Sequence, residues 1–112
     1  MIKIEEQLIH KIKENGEKTY NAECCGAIFG KPDNGTYTVK ELLEFKNERN
    51  DNRERRYLIS PSQYMQSERI AAEKDLDLLG FYHSHPDHPA VPSQFDTEHA
   101  FPNFIYMIVS IQ

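Results

Sequence analysis

Two histidines alternate at the end of an apolar stretch, Gly80-Phe-Tyr-His83-Ser-His85, and a proline follows at once. Few backbone arrangements suit that pattern. Successive side chains of a strand point to opposite faces, so His83 and His85 share one face, with Leu79 and Phe81 behind them as core. Their Cα atoms stand ~6.6 Å apart, two strand steps. Pro86 has no N–H to give to a ladder and stops the strand there. A sheet containing this strand carries two imidazoles at its end, with space beyond them for solvent.

The rest of the chain reads as a mixed α/β domain, a sheet covered by helices. Residues 5–15 form a helix with Leu8, Ile9 and Ile12 on one face, and Gly16 suits the position past its end. Cys25 to Gly30 is a short buried strand, and Lys31 to Gly35 has turn chemistry. A second strand follows, with Tyr37 and Val39 alternating and Leu42, Leu43 and Phe45 beyond. Residues 46–56 are nearly all polar and read as an exposed loop, with a brief strand at 57–59. Ser60-Pro61-Ser62-Gln63 opens a helix: Ser60 caps it, Pro61 fits its first position, and Gln63 completes a capping box. This helix runs to about Asp77, and Leu78 to His85 is the histidine strand. Ser93 opens a short helix ended by Pro102. Phe104 to Ile111 is a nearly continuous apolar run and reads as a central strand. The chain of 112 residues is long enough for one domain, 1–112, with one modest core.

Composition narrows the function classes. With 38% hydrophobic residues the chain is too apolar to be disordered, and a net charge of -5 argues against a nucleic-acid-binding surface. No apolar run approaches the ~20 residues of a membrane-spanning helix. The amino terminus mixes charge into every turn, unlike a signal peptide, so the expected location is cytoplasmic. Cys24 and Cys25 are adjacent, and a bridge between them would close a strained ring. They read as reduced thiols in a strand, without the C-x-x-C spacing of a redox pair.

Imidazoles two strand steps apart can both reach one ion at ~2.0–2.1 Å, the usual zinc–nitrogen distance. Downstream, Pro92-Ser93-Gln94-Phe95-Asp96 is a second helix start, in which Ser93 caps and Asp96 sits in the first turn. Packed over the strand end, such a helix can aim Asp96 at the same ion. Two histidines and one carboxylate leave a fourth position open, as catalytic zinc sites do. Hydrolysis there also wants a general base. Asp87 is near but sits in a Pro-rich loop. Glu23, just before a buried strand, is better held, although spacing alone does not bring it to His83. Each residue has a plainer reading too. A His-x-His is often incidental, Ser93 can be only a cap, and Asp96 only a first-turn carboxylate. His88 and His99 read as bystanders on a loop and a helix, and His10 as a helix residue near solvent.

Taken together, His83-x-His85-Pro86 with Pro92-Ser93-x-x-Asp96 resembles the JAMM motif of the MPN-type zinc metallopeptidases. Glu23-Cys-Cys-Gly26 before a strand resembles the setting of that family's acidic residue. The order of elements is similar as well: first helix, hairpin, Ser-Pro helix, histidine strand. The resemblance implies a compact prokaryotic form of the cytidine-deaminase-like JAMM/MPN fold. It implies Zn2+, one per chain, held by His83, His85 and Asp96. It implies catalytic roles for Glu23, moving a proton from the attacking water to the leaving amine, and for Ser93, donating to the oxyanion. The implied substrate is a bond after the C-terminal glycines of a ubiquitin-like or sulfur-carrier protein. Members of the family usually continue with further strands and a final helix, so set against the resemblance the chain is either a shortened form or a sequence cut short at Gln112. If the absent part completes the core, the expectation is a chain less stable than its relatives, or one that recruits a partner chain at that edge; a homodimer is a separate expectation. The alternative is a catalytically silent MPN-type interaction module, although such members usually lack the metal ligands. A zinc deaminase needs His-x-Glu with C-x-x-C, and this chain has neither.

Overall fold

The structure is a computed structural model and describes residues 2–20, 23–45, 59–86, 90 and 104–111. The elements run β1 (Ile2–Lys3), α1 (Glu6–Thr19), β2 (Cys25–Asp33), β3 (Thr36–Phe45), α2 (Pro61–Glu73), β4 (Asp77–Pro86) and β5 (Ile105–Ile111). The strands form one sheet in the order β1-β3-β2-β4-β5. β2 is antiparallel to both β3 and β4, while β1 runs parallel to β3 and β5 parallel to β4. This is the mixed sheet flanked by helices that the sequence implies.

β2 is buried from Cys25 to Gly30 and exposed from Lys31 to Asp33. The change comes where β4 stops pairing with it, at Gly30 opposite Asp77. The turn is narrower than the sequence suggests. Only Asn34 and Gly35, at φ +50° and +80°, leave the ladder. Two central residues with positive φ make the hairpin turn whose twist suits antiparallel strands, and Asn-Gly is its favoured sequence. Pro32 stays in the strand opposite Tyr37, tolerated because β4 does not reach that far along β2.

α1 buries Leu8, Ile12, Asn15 and Gly16, a stripe at helical spacing that faces the sheet. It runs past Gly16, where the sequence suggests an end. Glycine inside a helix costs about 1 kcal/mol relative to alanine, and packing of the stripe outweighs that. The last turn is held by Thr19, whose hydroxyl donates to the carbonyls of Asn15 at 2.9 Å and Gly16 at 3.3 Å. α2 begins with the expected capping box: the Gln63 N–H donates to Ser60 Oγ at 3.1 Å, and the Ser60 N–H to Gln63 Oε1 at 3.0 Å. It ends at Glu73, short of Asp77, because Asp75 turns the chain at φ +54° and Asp77 is already in β4.

The helices cover opposite faces of the sheet. Under α1 lie Leu8, Ile12, Ile28, Val39, Leu79 and Tyr82. On the other face Ala27, Phe29 and Phe81 pack with Ala71 of α2, ringed by Tyr64, Phe104 and Tyr106. The sequence expectation that Leu79 shares the histidine face is wrong for one reason. Ile28 pairs with Gly80 and Phe29 with Leu78, so Leu79 is an extra residue in β4. That bulge turns Leu79 to the α1 face, while Phe81 stays on the face of His83 and His85. β5 also differs from expectation. It lies at the end of the sheet, beside β4 and half-buried, rather than centrally. Its apolar run reflects contacts on both faces, with Ile105, Met107 and Val109 towards α1 and Tyr106 towards α2.

β4 and β5 approach closely at Gly80, where an added Cβ would run into the backbone carbonyl of Ile105. A backbone carbonyl in a sheet cannot swing aside as a side chain can. Gly80→Ala is therefore expected to destabilise the fold by about 1–3 kcal/mol, the usual penalty of overpacking. Thermal unfolding reads this as a lowered Tm, and an unchanged Tm would contradict the close approach.

Candidate metal centre

The antiparallel pairing of β2 with β4 sets Cys25 opposite His83. One residue earlier, Cys24 stays attached to β4. The Ser84 N–H donates to the Cys24 carbonyl at 3.1 Å, and the Cys24 N–H donates to Ser84 Oγ at 2.9 Å. The next residue back along the chain, Glu23, therefore enters beside the histidines. Alternation puts Glu23 on the face of Cys25, which is also the face of His83 and His85.

Glu23, His83 and His85 are only 2%, 1% and 6% exposed. One ligand atom from each lies within 4.8 Å of the others. The two imidazoles converge on each other through Nε2, 3.1 Å apart, with ring centroids at 4.9 Å and planes inclined by 53°. Withdrawing a carboxylate and two imidazoles from water is unfavourable unless something compensates them, and a bound metal is one such compensation. The spacing fits an ion. Two nitrogens each ~2.0–2.1 Å from one tetrahedral centre stand roughly 3.3 Å apart. Two nitrogens and a carboxylate oxygen are also the donor types that zinc accepts. The residues present therefore suit a zinc ion.

The structure brings together the histidines and the acidic residue. Ser93 and Asp96 lie outside the described residues, as do Asp87, His88 and His99. His10 is on the exposed side of α1, its Nε2 3.0 Å from Glu14 Oε1. Both cysteines are reduced, as the sequence suggests, and both are buried. Burial pushes the Cys24 thiol up, with hydrogen bonds from Ser84 opposing part of the effect, so it packs as a neutral thiol.

Two polar contributions escape sequence reading. Ser84 looks like a spacer between the histidines, yet it holds the entry to β2. Tyr82, behind the histidine face, donates its hydroxyl proton to Asn15 Oδ1 at 2.9 Å. Burial holds its phenol far above the usual range, so it stays a neutral donor. The available signal was Asn15 itself, a polar residue on the apolar stripe of α1.

A buried Glu-His-His cluster where two antiparallel strands meet, in a mixed sheet with a helix on each face, defines a compact α/β domain with a candidate metal centre. Residues 5–112 match the prokaryotic homologs of the JAB domain, and the chain belongs to that family. It is 34% identical over 92 residues to a desampylase of Haloferax volcanii, a match covering 80% of this chain and 63% of that protein. The chain thus spans less than two thirds of that relative's length. Its fold is similar to the solution structure of a Desulfitobacterium hafniense protein, with a TM-score of 0.87 at 25% identity, covering 98% of this chain and 75% of that one. A Salinibacter ruber protein is similar with a TM-score of 0.70 at 35% identity, covering 98% and 73%. The JAB/MPN fold implied by the motif is the fold observed. Among the described residues no helix is long and apolar enough to cross a membrane.

Proposed function

We propose that this chain is a zinc-dependent hydrolase that cleaves the peptide or isopeptide bond following the C-terminal glycines of a ubiquitin-like or sulfur-carrier protein. The observation that carries this reading is the buried meeting of Glu23 with His83 and His85. His83 and His85 supply two ligands, and Asp96 is proposed as the third. A zinc ion held there supplies a Lewis acid and lowers the pKa of water towards ~7. Glu23 accepts a proton from the attacking water on its carboxylate and passes it to the departing amine. Ser93 donates a hydrogen bond to the oxygen of the scissile carbonyl as charge gathers on it. Similarity to a desampylase supports a ubiquitin-like substrate class. A silent interaction module has no need of a carboxylate and two imidazoles buried together.

A substrate tail reaching a site at a strand end lies extended, and extended tails are read largely through main-chain hydrogen bonds. Glycine suits a narrow approach because it has no side chain to meet the walls. The test uses carrier proteins with C-terminal extensions, with the last glycine replaced by alanine, valine or phenylalanine and cleavage read by mass. Cleavage is expected to fall steeply along that series, while changes after the scissile bond matter less. Valine cut as fast as glycine would contradict the narrow approach. Failure to cut any extended carrier would contradict the reading as a whole.

A further inference from the structure

We infer that Ser84 is a positioning residue, setting Glu23 against His83 and His85 through the backbone of Cys24. The inference rests on the proposed role of Glu23 as base and adds a residue to that site.

Ser84 lies between the two histidines, and alternation turns its side chain to the opposite face. It is 0% exposed, so its hydroxyl meets neither solvent nor substrate. In a regular antiparallel pair, residues 24 and 84 would exchange two main-chain hydrogen bonds. Here one is kept, from the Ser84 N–H to the Cys24 carbonyl at 3.1 Å. In the other, the Cys24 N–H turns to the Ser84 hydroxyl at 2.9 Å. The side chain stands in for its own carbonyl, and the regular strand begins one residue later, at Cys25. The chain is thus pinned on both its donor and its acceptor one residue before it would otherwise leave the sheet. Glu23 hangs from that pinned residue, its Cα ~3.8 Å from that of Cys24. A fixed Cα narrows where a carboxylate on a three-torsion side chain can rest. Releasing the clamp widens the range open to the Glu23 Cα while leaving the histidines in place, and a misplacement of about 1 Å can lower a rate about 100-fold.

The clamp requires an acceptor on a one-carbon stem. Threonine keeps that hydroxyl, and alanine removes it while leaving the Cys24 N–H buried. Three readouts on the full zinc-loaded chain separate positioning from packing: amide exchange at Cys24, zinc content, and the kinetics of cleavage of an extended carrier protein. In Ser84→Ala the Cys24 amide is expected to lose protection while those of Ala27 and Phe81 keep theirs. Zinc content should stay at the wild-type level, and kcat should fall up to about 100-fold with KM little changed. Ser84→Thr should restore both the protection and kcat. A wild-type kcat in Ser84→Ala overturns the inference. So does a Ser84→Thr chain with the Cys24 amide protected but kcat as low as in alanine, since bulk rather than the hydroxyl would then decide. Should Ser84→Ala fail to fold, Ser84→Cys, close in size but a weaker acceptor, is expected to show a partial fall, and wild-type kcat there is equally fatal. If the wild-type chain cleaves no carrier, the functional reading fails on its own. The clamp is then judged on the protein alone: Ser84→Ala must release the Cys24 amide and shift the Glu23 carboxyl carbon resonance, and an unmoved resonance overturns it.

Discussion

Glu23→Gln is expected to lower cleavage by about 100- to 10,000-fold, the usual share of a general base, while the chain keeps its zinc. The amide has nearly the same shape as the carboxylate, so the packing of a residue only 2% exposed is preserved. What is lost is the ability to accept a proton beside His83 and His85. Metal content and kinetics measured on the same preparation separate the possible roles. Because one atom of Glu23 lies within 4.8 Å of both imidazole donors, direct ligation is the competing assignment. Loss of zinc from Glu23→Gln would establish it. Full activity with zinc retained would move the base elsewhere, with Asp87 the next candidate.

The second large effect is expected from His85→Ala. Removing one of two nitrogens that meet at 3.1 Å takes away one of the proposed histidine ligands. Zinc affinity should therefore fall by more than about 100-fold, beyond what outer-shell substitutions cause. Thermal unfolding gives a reading that needs no substrate. A ligand that binds only the folded chain stabilises it by about 2.7 kcal/mol at 100 times its Kd. The wild-type Tm should therefore rise on adding zinc, and the His85→Ala Tm should not. Unchanged zinc affinity in the variant would remove His85 from the ligand set.

What the sequence revealed was local. The capping box at Ser60 and Gln63 spans a single turn, and its chemistry is complete within it. The shared face of His83 and His85 follows from strand alternation over two steps. What remained hidden depended on pairing between distant segments. The bulge at Leu79 exists only because β2 meets β4 with a register shift, and nothing in the local pattern of β4 announces it. The helix end expected at Gly16 gave way to burial of that residue against the sheet, which intrinsic propensity does not contain. β5 is as apolar as a central strand because side chains on both its faces pack partly buried against the two cores, although it lies at the end of the sheet. The meeting of Glu23 with His83 was expected only through family resemblance. Its physical cause is the antiparallel register that sets Cys25 against His83, carried one residue further by the bonds between Cys24 and Ser84. The sequence nominated Ser93 and Asp96 from helix-start chemistry and the motif.

Zinc dependence can be read in one experiment. The chain is stripped with a chelator, then titrated with zinc while metal content and cleavage of an extended carrier protein are followed together. Stripped protein is expected to be inactive, with activity returning in proportion to bound zinc and levelling off at about one ion per chain. A chain that takes up no zinc, or that cleaves as fast stripped as loaded, would contradict a zinc centre built on His83 and His85.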